Sequence, residues 1–185
     1  CIRDSPSFRR GLMELAQRHN PLADKGTGAG RNAQQQDEVA ETGDGAGMLI
    51  QLPAKLFARE APSLGIDLPA AGQYGVGMVF MPPEAQVECR ELIRKVVEAE
   101  GLNVLGWRDV PVDHSKIGGD AREVCPTIAQ VFIGFGPDIK DAAQLEQKLF
   151  VVRKVLEHSA GESGLTDEQA DRFYVCSMSC NTIVY

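Results

Sequence analysis

Two stretches of the chain repeat apolar side chains at the spacing of an amphipathic helix. They lie at residues 84–101 and 141–158, and their apolar positions recur every three or four residues. These positions are Cys89, Leu92, Ile93, Val96 and Val97 in the first stretch and Leu145, Leu149, Val152 and Leu156 in the second. The pattern predicts two long helices, and Gly101 is placed to end the first of them.

Short apolar runs outside these helices predict about six strands. The run at residues 74–81 places Tyr74, Val76, Met78 and Phe80 on one face, and the glycines at 75 and 77 predict close packing on the other face. The other predicted strands lie at residues 48–52, 102–107, 128–134, 172–178 and 182–185, with a short helix at 54–61. We expect the last two strands to form a hairpin through residues 179–181. Strands mixed with helices in this order predict an α+β or layered α/β domain.

The beginning of the chain has a different character. Residues 6–20 carry one apolar helical face, made of Phe8, Leu12, Leu15 and Ala16, and predict a helix. Residues 21–42 are polar, rich in glycine and poor in large apolar side chains. They predict a long flexible loop.

Charge and composition exclude two kinds of partner. The formal net charge is −7 and the 19 basic residues are scattered, whereas nucleic-acid binding depends on clustered Lys and Arg. We therefore expect no nucleic-acid partner. No apolar stretch approaches the length that crosses a bilayer, so we expect no membrane partner either. The five cysteines, an odd number, indicate reduced thiols in a cytosolic enzyme.

Two further patterns suggest other functions, and both lack their usual context. Cys176 and Cys180 lie four residues apart, but no second pair of ligands accompanies them, so no metal site is predicted. Glycine clusters at residues 26–30 and 43–47 lack the strand-then-helix context of a dinucleotide fingerprint and the Gly-Lys-Ser/Thr of a P-loop. A nucleotide-binding regulatory domain is a hypothesis that rests on these glycines alone.

Four segments, in order, carry a resemblance to a known family. They are TGDGAGMLIQLP at residues 42–53, GLNVLGWRDVPVD at 101–113, PTIAQVFIG at 126–134 and FYVCSMSCNTIVY at 173–185. Together they resemble the N-terminal glutaminase domain of the glutamate synthase large subunit, a class II glutamine amidotransferase. The resemblance implies an α+β fold, the N-terminal-nucleophile αββα sandwich. Residues 1–185 would form the N-terminal part of that domain, with the flexible loop at 21–42.

The resemblance also implies a nucleophile. The mature chains of this family begin with cysteine, and this sequence begins with Cys1. A free α-amino group, with a pKa of about 7.7–8.0, can serve as the base for the thiol of the same residue. By the resemblance, Cys1 would attack the side-chain amide of L-glutamine and release ammonia. The resulting γ-glutamyl thioester would then be hydrolysed by water.

The first 41 residues depart from the family's pattern. The family usually has glycine after the cysteine, where this chain has Ile2, and it has a His-Arg-Gly element where this chain has Arg18-His19-Asn20. Arg18 is the nearest candidate for the arginine that contacts the substrate, and His19 is the nearest candidate for an internal base. We expect the arginine that clamps the glutamine carboxylate and the Asn-Gly pair of the oxyanion hole beyond Tyr185.

The resemblance assigns no cofactor to this segment and implies FMN and an iron–sulfur cluster for the full-length enzyme. Ammonia would pass to the remainder of the synthase polypeptide, which makes glutamate from 2-oxoglutarate, and a reductase subunit is a further expected partner. The expected compartment is the cytoplasm, or the plastid stroma in a plant. The alternative is a non-catalytic, glutaminase-like structural module that keeps the fold without the chemistry.

Limited proteolysis tests the predicted loop. Because residues 21–42 offer few apolar anchors, trypsin should cut there first, after Lys25 or Arg31. The masses of the earliest fragments identify the site. Primary cleavage inside residues 87–97, in a predicted helix, would contradict the prediction.

Overall fold

The structure is a computed structural model and describes residues 47–116, 122, 124–162 and 164–184. All of these except Arg122 belong to one unit of the chain. In chain order its elements are β1 (Leu49–Gln51), α1 (Ala54–Glu60), β2 (Tyr74–Met81), α2 (Gln86–Ala99), β3 (Asn103–Asp109), β4 (Thr127–Gly134), α3 (Ala142–Ser159), α4 (Asp167–Arg172), β5 (Tyr174–Ser179) and β6 (Thr182–Val184). The predicted helix at 6–20 and the predicted loop at 21–42 lie outside the described residues.

The six strands form two antiparallel sheets. A four-stranded sheet has the order β3-β4-β2-β5, and β1 pairs with β6 in a separate two-stranded sheet. Helices α2 and α3 pack on one face of the larger sheet, while α1 and the smaller sheet pack on the other. The described residues thus build three layers, helices, sheet and sheet. The predicted α+β class is confirmed, and the layers agree with part of an αββα sandwich.

The layer between the two sheets is a core of aromatic and aliphatic side chains. Phe57 of α1 packs edge-on against Phe132 of β4, with ring centroids 5.1 Å apart. Ile183 of β6 is fully buried in the same cluster. Burial of a side chain of this size contributes about 1.5–3 kcal/mol to the free energy of folding. These contacts hold α1 and the smaller sheet against the larger one.

The alternation predicted for β2 is confirmed. Tyr74, Val76 and Met78 are buried in the layer between the sheets. On the opposite face, a Cβ built at Gly75 would overlap the Leu149 side chain of α3. The small residue therefore lets α3 approach the strand closely, as the glycines predicted.

Both long helices bury the face that their sequence pattern predicts. In α3 the four expected side chains are fully buried, and Asp141 caps the helix by accepting a hydrogen bond of 2.9 Å from the Gln144 amide. In α2 the predicted face is buried apart from Leu92, which is only half-buried. Gly101 has a φ of 76°, a left-handed conformation that favours glycine, and it follows the end of α2 as predicted.

The predicted hairpin at residues 179–181 is wrong. β5 pairs with β2 in the larger sheet, whereas β6 pairs with β1 in the smaller one. The two residues between them carry the chain from one sheet to the other. Strand pairing depends on residues far apart in sequence, so the short connection alone did not reveal the change of sheet.

The predicted start of the strand at residue 172 is also corrected, because Arg172 ends helix α4. This short helix begins with a capping box, in which Thr166 and Gln169 each accept from the backbone amide of the other. β5 therefore begins at Tyr174.

Gly75→Ala should destabilise the protein by about 1–3 kcal/mol, because the added methyl group overlaps Leu149 in a packed layer. The matched control is Gly161→Ala, where a Cβ meets no atom within 4 Å. Urea unfolding of both variants measures the difference. Leu149→Ala in the Gly75→Ala background should show a favourable coupling free energy, and strict additivity would argue against the contact.

Candidate functional site

The residues predicted to carry the chemistry lie outside the described part of the chain. This applies to Cys1, to Arg18 and to His19. The structure does describe the three later segments of the resemblance nearly in full. Their polar side chains form two clusters, one at the turn between the sheets and one in the layer between them.

The first cluster, called the junction cluster below, consists of Glu146, Ser179, Cys180, Asn181 and Thr182. The Glu146 carboxylate accepts hydrogen bonds of 2.8 Å from the Ser179 hydroxyl and 2.8 Å from the Cys180 amide. The Ser179 hydroxyl oxygen accepts from the amides of Asn181 at 2.9 Å and Thr182 at 3.2 Å. One carboxylate and one hydroxyl thus hold the whole turn.

Ser179 and Glu146 have the atoms of a nucleophile and a base, but their contacts favour a structural role. The Ser179 hydroxyl donates to the carboxylate and its oxygen accepts from two amides, so both lone pairs are already engaged. A serine nucleophile needs a free lone pair directed at the substrate. The junction cluster therefore stabilises the backbone of the turn between β5 and β6.

The second cluster lies on the face of the larger sheet that meets the smaller sheet. Arg108 of β3 donates to Glu60 at 2.7 Å and to Gln130 at 3.1 Å. The Arg108 side chain is only 14% exposed, so its charge is compensated mainly by Glu60. This arginine is engaged within the fold and is a poor candidate for clamping a substrate carboxylate.

The Gly-Trp-Arg element of β3 serves three different contacts. A Cβ at Gly106 would overlap Ile66, so the glycine allows close packing there. Trp107 lies under the Arg90 guanidinium of α2, with 4.8 Å from its carbon to the ring centroid. Arg108 projects to the opposite face of the sheet. In this chain the motif therefore makes packing and polar contacts on both faces of β3.

The described residues hold no group of three or more His, Cys, Asp or Glu side chains that could bind a metal ion. Within the same residues, no helix combines the length and the apolar character needed to cross a membrane.

Comparison with known proteins decides the family. The profile of the class-II glutamine amidotransferases matches residues 29–185. The chain belongs to this family. The predicted membership is confirmed, although the match begins after Cys1 and Arg18.

The relatives of this amidotransferase chain include glutamate synthases. The large chain of the NADPH glutamate synthase of Bacillus subtilis is 44% identical over 147 residues, which cover 78% of this chain and 9% of the relative. The ferredoxin-dependent glutamate synthase of Pyropia yezoensis is 38% identical, with 78% and 9% covered. The NADH glutamate synthase of Schizosaccharomyces pombe is 37% identical, with 77% and 7% covered. The chain therefore spans less than a tenth of the length of these relatives.

Three thiols of the amidotransferase chain are unsuited to be its nucleophile. Burial raises the pKa of the Cys180 thiol to about 12, and the Glu146 carboxylate adds to this rise. Burial likewise raises the pKa of Cys89 to about 11 and also raises the pKa of Cys176. A cysteine nucleophile needs a lowered pKa or an adjacent base, because the thiolate is the reactive form.

Sequence reasoning did not single out Glu146, which the structure shows at the centre of the junction cluster. A signal was present, because this acidic residue follows the inward-facing Leu145 and lies one turn before Leu149. A carboxylate bordering the buried stripe of a helix needs partners. The sequence alone does not show that those partners are in the FYVCSMSCNTIVY segment.

Thiol alkylation tests the assignment of Cys89 and Cys180 as protonated, buried thiols. At pH 8 both should react with iodoacetamide about tenfold or more slowly in the folded protein than in denaturant, because their raised pKa leaves little thiolate. Mass mapping of the cysteine peptides over time gives the rates. Equal rates in the folded and unfolded protein would overturn the assignment.

Proposed function

We propose that this chain hydrolyses the side-chain amide of L-glutamine and that Cys1 is the nucleophile. The observation that carries the proposal is the family match over residues 29–185. The two-sheet architecture and the glutamate synthase relatives support it. The assignment of Cys1 as the nucleophile rests on the resemblance and on the chemistry of a terminal cysteine, since the family match begins later in the chain.

In the proposed reaction the α-amino group of Cys1 takes the thiol proton, and the sulfur attacks the amide carbon of glutamine. The carbon–nitrogen bond then breaks, and the nitrogen leaves as ammonia with a proton from the same amine. Water attacks the γ-glutamyl thioester, which gives glutamate and restores the thiol. Arg18 is the proposed contact for the substrate, and His19 is the alternative base.

The proposal extends to a larger protein. By analogy with its relatives, ammonia would serve glutamate synthesis from 2-oxoglutarate elsewhere in a synthase polypeptide. FMN and an iron–sulfur cluster would be held by that remainder, and a reductase subunit would be a further partner. The proposed compartment is the cytoplasm, or the plastid stroma in a plant.

A second candidate is a glutaminase-like structural module without catalytic activity. The observation that favours it is the start of the family match at residue 29, beyond the proposed nucleophile. The junction cluster and the second cluster, made of Arg108, Glu60 and Gln130, are compatible with either candidate, because both clusters serve the fold.

Labelling with the glutamine analogue diazo-oxo-norleucine separates the two candidates. In the full-length natural protein the reagent should add once, on Cys1, and Cys1→Ala should abolish the adduct. Cys176→Ala is the matched control and should keep it, because burial raises the pKa of that thiol. Peptide mass mapping locates the adduct. No adduct on the wild-type protein would support the structural module.

The same protein tests the terminal amine. Acetylating that amine, or adding a residue before Cys1, should lower glutaminase activity steeply, because both remove the base from the thiol. Full activity with a blocked terminus would contradict the mechanism and would favour His19 as the base.

A further inference from the structure

One edge of the smaller sheet is closed to further strands. On β6, the Thr182 amide donates to the Ser179 hydroxyl oxygen at 3.2 Å, and the Val184 amide donates to the Ser177 hydroxyl oxygen at 3.1 Å. Both serines belong to β5, which lies beside β6. Two serine side chains therefore engage the donors that a neighbouring strand would need on this side of β6.

The other edge of the smaller sheet is the backbone of β1. The Leu52 amide donates to the Asn181 carbonyl oxygen at 2.8 Å, so it points toward the turn and β6. Backbone groups alternate in direction along a strand, so those of Ile50 also point toward β6, while those of Leu49 and Gln51 point away. Within the described part of the chain, no strand lies on that outward side. We call the outward groups of Leu49 and Gln51 the open edge.

The side chains beside the open edge are apolar and uncovered in the structure. Leu49 is 66% exposed, and Met48, directly before the strand, is 65% exposed. β1 contains no charged residue and no proline, and its pairing with β6 runs without a bulge. Charges, prolines and bulges are the features that usually keep an edge strand from pairing. The open edge is therefore complementary to another extended segment.

We propose that the open edge binds an extended segment of the same polypeptide, supplied from outside residues 47–184. The open edge offers backbone donors and acceptors, so a strand is the partner that matches it. The amides and carbonyl oxygens of that strand pair with those of Leu49 and Gln51, and one of its apolar side chains lies beside Leu49. The inference rests on one part of the proposed function, namely that this chain belongs to a longer synthase polypeptide.

The size of the open edge favours the same polypeptide over a second copy of the chain. Two outward residues offer one donor and one acceptor each, which is too little contact to hold two separate molecules together. A segment tethered to the sheet has an effective concentration of about millimolar or more, so few contacts suffice. The aligned residues make up 9% of the Bacillus subtilis relative, so a polypeptide of that kind has ample chain for another strand.

Amide exchange in the full-length natural protein tests whether the open edge is covered. Ile50 is the internal reference, because its amide points toward β6 whatever lies on the other side. With a strand on β1, the Leu49 and Gln51 amides should exchange within about tenfold of the Ile50 amide. Faster exchange than this at both residues would show an uncovered edge and overturn the proposal.

A proline substitution tests the pairing itself. Gln51→Pro removes an outward amide, and Gln51→Ala is the matched control because it keeps that amide. Proline is tolerated on a free edge but deletes a hydrogen bond from a paired strand. The Leu49 amide should therefore exchange about fivefold faster in Gln51→Pro than in Gln51→Ala. Equal exchange in the two variants would contradict the pairing.

Photo-cross-linking identifies the source of the strand. With p-benzoylphenylalanine in place of Leu49 in the full-length natural protein, a cross-link within one chain keeps the monomer mass on a denaturing gel. A cross-link to a second copy doubles that mass. An adduct of monomer mass on a segment outside residues 47–184 supports the proposal, whereas a doubled mass, or adducts confined to residues 47–184, would overturn it. None of these readouts uses turnover, so an inactive protein would contradict the proposed glutamine hydrolysis alone.

Discussion

Partly buried backbone amides at the change of sheet are the constraint on which this architecture depends. Between β5 and β6 the chain leaves the larger sheet and enters the smaller one within two residues, so three successive amides lose their place in a regular ladder. Cys180 is the buried residue of the three, and an unsatisfied buried amide costs about 1–3 kcal/mol. Glu146 and Ser179 together supply the acceptors. Because these acceptors satisfy the three amides, a connection of two residues can join the two sheets.

Helix α3 links the junction cluster to the apolar core. Leu149 packs over Gly75 of β2, and Glu146 reaches the turn from the same side of the helix, one turn earlier. The apolar contact fixes how closely the helix approaches the sheet. The carboxylate fixes its rotation and its position along the axis. The two constraints are mutually consistent, as expected for a sequence that specifies one packing.

Local patterns predicted most of the elements, because helix and strand periods are properties of neighbouring residues. The buried stripe of α3, the alternation of β2 and the glycine after α2 were all readable in this way. The hairpin prediction was wrong because the partner of β6 is β1, at the other end of the described chain. Glu146 was missed for the same reason, since its partners are far away in sequence. For the proposed catalytic residues, the family motifs and the chemistry of a terminal cysteine remain the basis of prediction.

The pairing of Leu49 with Val184 has a consequence for biosynthesis. A ribosome delivers β1 long before β6, so the smaller sheet cannot close until nearly all the described residues have been translated. Until then the interface of α1 and β1 lacks Ile183, and the apolar face of the larger sheet stays partly uncovered. Chains that stall before β6 would expose that face and an unpaired strand to other nascent chains and to chaperones. Among the described strands, β6 is thus the last to emerge and the one that closes the smaller sheet.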